Sequence, residues 1–192
     1  MLINFGGIEP ISFIEYPKLS STVLFLRGCN FNCKYCYNKE ITTGHDCRSI
    51  LDIIHVLDNM MEYVSALVIS GGEPTLQPKV IKELAVYYKE KGKKIGLYTN
   101  GSNPNVIKQL LNNNLIDFVS LDIKTIWINY KSDFGGDWQC IKKTLDILNE
   151  YKKENNDFIF RLVHPVYDEN IKEAVEIMIK LLGFEIEFKQ LI

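Results

Sequence analysis

A chain of 192 residues, 46% hydrophobic and 24% charged, is long enough for one domain with its own core and has the composition of an ordinary globular protein, which excludes disordered and fibrous classes. A formal net charge of -2 supplies no basic surplus for neutralising phosphates, so a general nucleic-acid binder is not expected. No apolar run approaches the ~20 residues that cross a bilayer, the opening MLINFGGIEP has no signal-peptide pattern, and in the cytoplasmic setting this implies five cysteines suit metal ligation or core packing better than disulfides.

Residues 1–21 are expected as a short N-terminal extension of a single core domain covering 1–192. The first strand is TVLFLRG (22–28), and the loop after it carries CNFNCKYC (29–36). An amphipathic segment at 49–63 leads to the strand ALVISGG (66–72), and a second at 78–91 leads to KIGLYTNG (94–101). A helix over 104–113, opening on a proline, precedes DFVSLDIK (117–124). Helices at 137–154 and 170–182 alternate with DFIFRLVHP (157–165) and FEIEFKQL (184–191). Six strands alternating with five helices imply parallel pairing through right-handed crossovers, in either an open doubly wound sheet or a partial barrel. There are no repeats, low-complexity tracts or linkers.

Parallel α/β folds bind ligands beyond the carboxyl ends of their strands. Four consecutive predicted strands deliver unusual residues to that rim: Cys29, Cys33 and Cys36 after the first, SGGEP (70–74), TNG (99–101) and DIK (122–124) at the ends of the next three. Structural zinc closes with four ligands, and disulfides need even numbers. Three close thiols therefore read as a soft-metal or iron–sulfur site left open by one ligand, unless Cys47 completes a zinc site. Cys47 otherwise reads as an ordinary thiol and Cys140 as a small core residue. Asp122 and Lys124 share one strand face, an arrangement that is costly unless they pair with each other or bind a ligand. Arg161 and His164 fall on opposite strand faces, so at most one points inward, while His45 and His55 carry no signal.

The C-x₃-C-x₂-C spacing, joined to a following strand that ends in Gly-Gly-Glu-Pro, resembles the radical S-adenosylmethionine (radical SAM) superfamily. The resemblance implies a partial (β/α)₆ barrel, with a [4Fe-4S] cluster on Cys29, Cys33 and Cys36 and SAM bound at the fourth iron through its amino and carboxylate groups. One-electron cleavage of SAM then gives methionine and a 5′-deoxyadenosyl radical, so the chemistry is carried by the cofactors and no protein residue is expected to be catalytic. Gly71 and Gly72, lacking a Cβ, would let backbone carbonyls approach the SAM ammonium, and Glu73 would add a negative charge there. Tyr35 and Tyr37, flanking Cys36, would pack against the adenosyl group. Asp122 and Lys124 match an Asp-x-Lys pattern that helps hold SAM in activating enzymes of the superfamily.

GGIEPISFIEYPKLSSTVLFLRGCNFNCKYCYN (6–38) is similar to the glycyl radical enzyme activases, above all to the activating proteins of anaerobic ribonucleoside-triphosphate reductase, and YTNG, LDIK and FRLVHP continue the similarity. Lys18 departs from it, standing where the family usually has glycine after Tyr-Pro, and the segment from Arg161 to Pro165 is a residue shorter than is common. The implied activity is removal of a hydrogen atom from a glycine of a partner enzyme, with a flavodoxin or ferredoxin as electron donor in an anaerobic cytoplasm. The few residues after the sixth strand leave little material for a small-molecule pocket, which favours a macromolecular substrate. Two alternatives are carried forward. One is a radical SAM enzyme acting on a small molecule, like 7-carboxy-7-deazaguanine synthase, which usually has serine or threonine where Asn38 stands. The other is a non-catalytic zinc module using Cys29, Cys33, Cys36 and Cys47.

Overall fold

The structure, a computed structural model, describes residues 1–190. Its elements run β1 (Leu2–Tyr16), β2 (Leu19–Leu26), β3 (Cys47–Ser49), α1 (Ile50–Met61), β4 (Ala66–Gly71), α2 (Pro78–Glu90), β5 (Lys94–Thr99), α3 (Pro104–Asn112), β6 (Phe118–Asp122), α4 (Trp138–Glu154), β7 (Ile159–Val166), α5 (Glu169–Leu181) and β8 (Glu187–Gln190). The six predicted strands and five predicted helices are all present; the last residue of the sixth predicted strand, Leu191, lies outside the described residues. Helix starts follow the sequence signals: Pro104 opens α3, and the Asp168 side chain caps α5 by accepting from the amides of Asn170 and Ile171.

All the strands join one sheet in the order β3-β1-β2-β4-β5-β6-β7-β8. From β2 to β8 the strands are parallel and lie in chain order, so the winding never reverses. A doubly wound sheet reverses at a switch point. The single direction of winding decides for the partial barrel, with β3 and β8 as its open edges.

Alternation along the strands divides the molecule into two cores. Leu24 and Leu26 of β2, Leu67 and Ile69 of β4, Leu97 of β5 and Leu121 of β6 belong to a large core shared with the helices. Val23, Val68 and Phe118 face the other way, where with Tyr16 and Ala66 they form a small cluster on the concave side. Burying one such side chain fully is worth about 1.5–3 kcal/mol, and both faces of β4 and β5 are covered, which explains their near-continuous apolar runs.

Strand β1 has no counterpart in the sequence reading. It pairs antiparallel with β2 and, through Leu2–Asn4, with β3. Two glycines and a proline interrupt its alternation; register shifts between Phe5 and Gly7 and between Glu9 and Ser12 fall at Gly6 and Pro10, and a third lies between Ser12 and Tyr16. The β1–β2 turn has Lys18 at φ 63, a left-handed conformation that glycine adopts without a steric cost. The departure at Lys18 is thus a mildly strained turn residue. No helix among the described residues is long and apolar enough to cross a membrane.

Candidate functional site

A cavity of about 370 Å³ opens on the concave side at the carboxyl ends of the parallel strands. Cys29, Cys33 and Cys36 after β2, Gly71 at the end of β4 and Gly72 just beyond it, Asn100 after β5, Asp122 at the end of β6 and Lys124 just beyond it all line it. The four rim stretches singled out in the sequence therefore meet at one place.

The cysteine loop has little regular structure, so specific contacts shape it. The amides of Gly28 and Cys29 donate to the carbonyls of Ile41 and Thr42 at 2.8 and 2.9 Å, closing the loop at its base. Phe31 is the buried anchor, packed edge-on to Tyr130 at 6.4 Å and against Gly136, where a Cβ would sit 2.5 Å from its ring. Asn30 is held from both sides: Asn100 Nδ2 donates to its Oδ1 at 3.0 Å, and its own Nδ2 donates to Ser102 Oγ at 2.8 Å. Burial pushes the Cys33 thiol up to about 11, against the pull of the Lys124 ammonium, and raises Cys29 as well. Even with the Lys124 ammonium near, these two sulfurs stay protonated at neutral pH; a bound metal centre is what would make them thiolates. Among the described residues no three His, Cys, Asp or Glu side chains gather round one point as a single metal ion requires. Cys47 is exposed on β3 and does not line the cavity, and Cys140 sits in the first turn of α4.

Tyr35 and Tyr37 also line the cavity. The Tyr35 ring stacks on Tyr167 with centroids 4.9 Å apart, and the Tyr37 hydroxyl donates to the Gln190 carbonyl at 2.8 Å. Both therefore tie the cysteine loop to the β7–β8 side of the mouth while leaving about half their surface exposed, 54% and 51%. Asn38, considered in the sequence only as a departure, donates from Nδ2 to the Gly71 carbonyl at 3.3 Å.

Gly71 and Gly72 accommodate the protein's own backbone. Gly71 has φ 129, and a Cβ on it would stand 2.1 Å from the Leu26 carbonyl oxygen; on Gly72 it would stand 2.2 Å from that of Gly28. These glycines let the end of β4 lie directly against the start of the cysteine loop, with Gly72 and Glu73 amides donating to Leu26 and Gly28 at 2.9 and 2.8 Å. Gly72→Ala must displace Gly28 and Cys29. We expect it to keep normal helical content while lowering iron and sulfide taken up in anaerobic reconstitution by about 10-fold or more, measured beside circular dichroism.

Glu73 differs from the sequence expectation. It is 1% exposed and is absent from the cavity wall. Oε1 accepts from the Thr75 amide at 3.0 Å, the Thr99 hydroxyl at 2.8 Å and the Thr75 hydroxyl; Oε2 accepts from the Asn100 amide at 2.7 Å. The carboxylate thus spends its acceptors joining the ends of β4 and β5 instead of offering them to an ammonium in the cavity. Burial raises its pKa, although all four hydrogen bonds favour the ionised form.

Asp122 and Lys124 do pair, Nζ to Oδ2 at 2.6 Å, and the pair faces the cavity. Burial works to strip the Lys124 proton, but the hydrogen-bonded Asp122 carboxylate overrides it and holds the lysine charged. Arg161 and His164 separate as strand alternation requires. Arg161 lines the cavity, donates to Ser120 Oγ at 3.3 Å and to the Tyr98 hydroxyl, and lies 3.6 Å from Glu187. His164 is buried on the other face with Nδ1 2.7 Å from the Ile123 carbonyl, and burial holds its pKa down. Tyr98 and Ser120, missed in the sequence, share the inward face with Arg161; the only signal was a polar residue recurring on one face of otherwise apolar strands.

Wound one way, open on one side and rimmed with thiols after its first parallel strand, the molecule belongs among the α/β half-barrels that carry a metal-ligand loop at the mouth. The family model described as Radical SAM superfamily matches residues 23–178, and the chain belongs to that superfamily. A Methanocaldococcus jannaschii protein with the provisional description glycyl-radical enzyme activating enzyme is 40% identical over 157 residues, 80% of this chain. The pyruvate formate-lyase-activating enzyme of Clostridium pasteurianum is 29% identical over 129 residues, 62% of this chain. The chain spans 65% and 52% of the lengths of these two relatives. A solved structure of anSMEcpe with bound AdoMet shares the fold with a TM-score of 0.63 at 19% identity, over 86% of this chain and 49% of the other.

Proposed function

We propose that the protein reductively cleaves S-adenosylmethionine and removes a hydrogen atom from a glycine of a partner enzyme, leaving a glycyl radical there. The observation that carries this reading is the meeting of three thiols, a Gly-Gly strand end and an Asp–Lys pair in one open cavity. When bound, a [4Fe-4S] cluster with SAM on its free iron supplies the electron that breaks the sulfonium C–S bond. Cys29, Cys33 and Cys36 would hold the cluster as thiolates, on separate irons. That assignment fits thiols that share a cavity without gathering round a single point.

Around that centre the chain's own groups bind and orient. The Asp122–Lys124 pair presents one charge of each sign to the zwitterionic end of SAM, and the Gly71 and Gly72 backbone lies beside it. Asn38 fixes the Gly71 carbonyl, while Tyr35 and Tyr37 offer ring surface to the adenosyl group. Glu73 acts from behind, fixing the ends of β4 and β5.

The names of the relatives support a glycyl radical enzyme as the partner, and the similarity of residues 6–38 favours anaerobic ribonucleoside-triphosphate reductase. A flavodoxin or ferredoxin supplies the electron, in an oxygen-poor cytoplasm where an open cluster survives. The zinc reading loses its fourth ligand, because Cys47 lies on β3 outside the cavity. The test is anaerobic reconstitution, reduction in the presence of SAM, and addition of the reductase. We expect 5′-deoxyadenosine and a glycyl doublet in the electron paramagnetic resonance spectrum. Absence of 5′-deoxyadenosine from a loaded, reduced sample overturns the SAM chemistry. Turnover stimulated by a small metabolite, with no glycyl signal from any candidate partner, overturns the activase assignment in favour of a small-molecule enzyme.

A further inference from the structure

We propose that Arg27 is a positioning residue for the three-cysteine site, a brace that fixes the return limb of the loop; its bearing on a cofactor rests on the reading that Cys29, Cys33 and Cys36 hold a cluster. Between the end of β2 at Leu26 and the start of β3 at Cys47, the chain makes a long excursion with a single 3₁₀ turn, Lys39–Ile41. A loop of that kind supplies no ladder of its own to set the spacing of three thiols, and contacts from outside must do so.

The contacts converge on the first three residues of the excursion. Arg27 Nη1 donates to the carbonyls of Glu40 at 2.8 Å and Thr43 at 3.2 Å. The two carbonyls between them, of Ile41 and Thr42, accept from the amides of Gly28 and Cys29. Four consecutive carbonyls of the return limb are thus held by residues 27–29, the outer two by one guanidinium.

Arg27 is itself held to the sheet. Its amide donates to the Asn4 carbonyl at 2.9 Å, its Nε to the Phe5 carbonyl at 3.2 Å, and its own carbonyl accepts from Gln77 Nε2 at 3.1 Å. Gln77 also bonds both backbone groups of Asn4, at 2.9 and 3.1 Å, so the brace rests on β1 and on the turn that follows β4. This gives β1, unforeseen in the sequence, a part in the site.

The guanidinium suits the task because its donors diverge in a rigid plane and reach carbonyls in different directions. A lysine ammonium carries its donors at one point on a flexible stem and cannot span the same set. The contacts from Nη1 are solvent-exposed, and Arg27 belongs to neither apolar core, so its removal should loosen the loop without opening the fold.

The test uses Arg27→Ala and Arg27→Lys in the full chain and has two arms. The first needs no cofactor: hydrogen exchange of the apoprotein, read at the amides of Gly28 and Cys29 and, as internal reference, at Val68 and Leu97 in the core. We expect exchange at the loop amides to rise at least about 10-fold in the alanine variant, with the reference amides unchanged and lysine intermediate. The second arm follows iron loss from the reconstituted protein to a chelator, expected to quicken by about 10- to 100-fold in the alanine variant and less in the lysine variant. Unchanged exchange at Gly28 and Cys29 overturns the brace whatever the cofactor does. Faster exchange with unaltered iron loss overturns its role at the site. A wild-type chain that takes up no iron removes the functional reading instead, and the exchange arm then decides the brace alone. If the alanine variant unfolds, as the reference amides would reveal, the lysine variant decides: wild-type exchange and iron retention in it overturn the need for a guanidinium.

Discussion

Serine at Cys29, Cys33 or Cys36 is expected to reduce iron and sulfide bound after anaerobic reconstitution to below about a tenth of the wild-type value, and SAM cleavage to background. Alanine at Cys47 or Cys140 should leave both unchanged. The large effect follows from there being three ligands for a four-iron cluster. On the proposed assignment one iron would take SAM, so a further lost thiolate would leave another iron with neither protein nor substrate ligand, and a serine hydroxyl would not ionise in its place. The structure sharpens the contrast, since the three thiols line one cavity while Cys47 is exposed on β3 and pairs with Asn4 across an edge of the sheet. Iron and sulfide analysis with electron paramagnetic resonance of the reduced samples makes the comparison. Retained metal in the Cys36→Ser protein together with its loss in Cys47→Ala would falsify the cluster assignment and revive the zinc module.

The six parallel strands were legible because each is a short apolar run with its special residues at the carboxyl end, as in ALVISGG and LDIK. Strand β1 was not, because pairing at a sheet edge needs no clean alternation and its register shifts fall at Gly6 and Pro10. Local pattern also cannot reveal what a polar residue touches. Asp122 and Lys124 read as sharing a strand face, but β6 ends at Asp122, and only the structure shows that the two pair and border the cavity together. Arg27 gave no sign at all: its partners Phe5, Glu40 and Thr43 offer backbone carbonyls, which any residue type could supply. Glu73 was misread for the opposite reason, since a carboxylate beside two rim glycines invites a ligand role while the threonines and amide that consume it arrive partly from another strand.

That correction leads to the second large effect, on the stability of the apoprotein. Glu73→Ala leaves the buried amides of Thr75 and Asn100 and the Thr99 hydroxyl without their acceptor. An unpartnered buried donor costs about 1–3 kcal/mol, so we expect a loss of about 3 kcal/mol or more in urea unfolding, a large part of a domain's usual stability. Glu73→Gln should lose less, because its amide oxygen can keep one set of partners. The pH dependence has a definite sign. The folded-state pKa of Glu73 is raised by burial, so its stabilising contribution is fully present below the ordinary carboxyl value of about 4.3 and falls away as pH rises through the raised value. The protonated form can be accommodated because both threonine hydroxyls are able to turn, Thr75 Oγ1 already accepting from Asn103 at 2.8 Å and Thr99 Oγ1 from Gly101 at 3.1 Å. The stability gap between wild type and Glu73→Gln should therefore widen as pH is lowered from 7 toward 4.5; taking the difference cancels carboxylates such as Asp46, whose lowered pKa acts in the opposite direction. A gap that narrows on acidification contradicts the burial argument. The glutamine variant also separates the two roles of this residue: an apoprotein as stable as wild type, with weakened SAM binding alone, would return Glu73 to the ammonium-binding part expected from the sequence. A destabilised apoprotein marks it as the tie that holds Asn100, and through Asn100 the cysteine loop at Asn30.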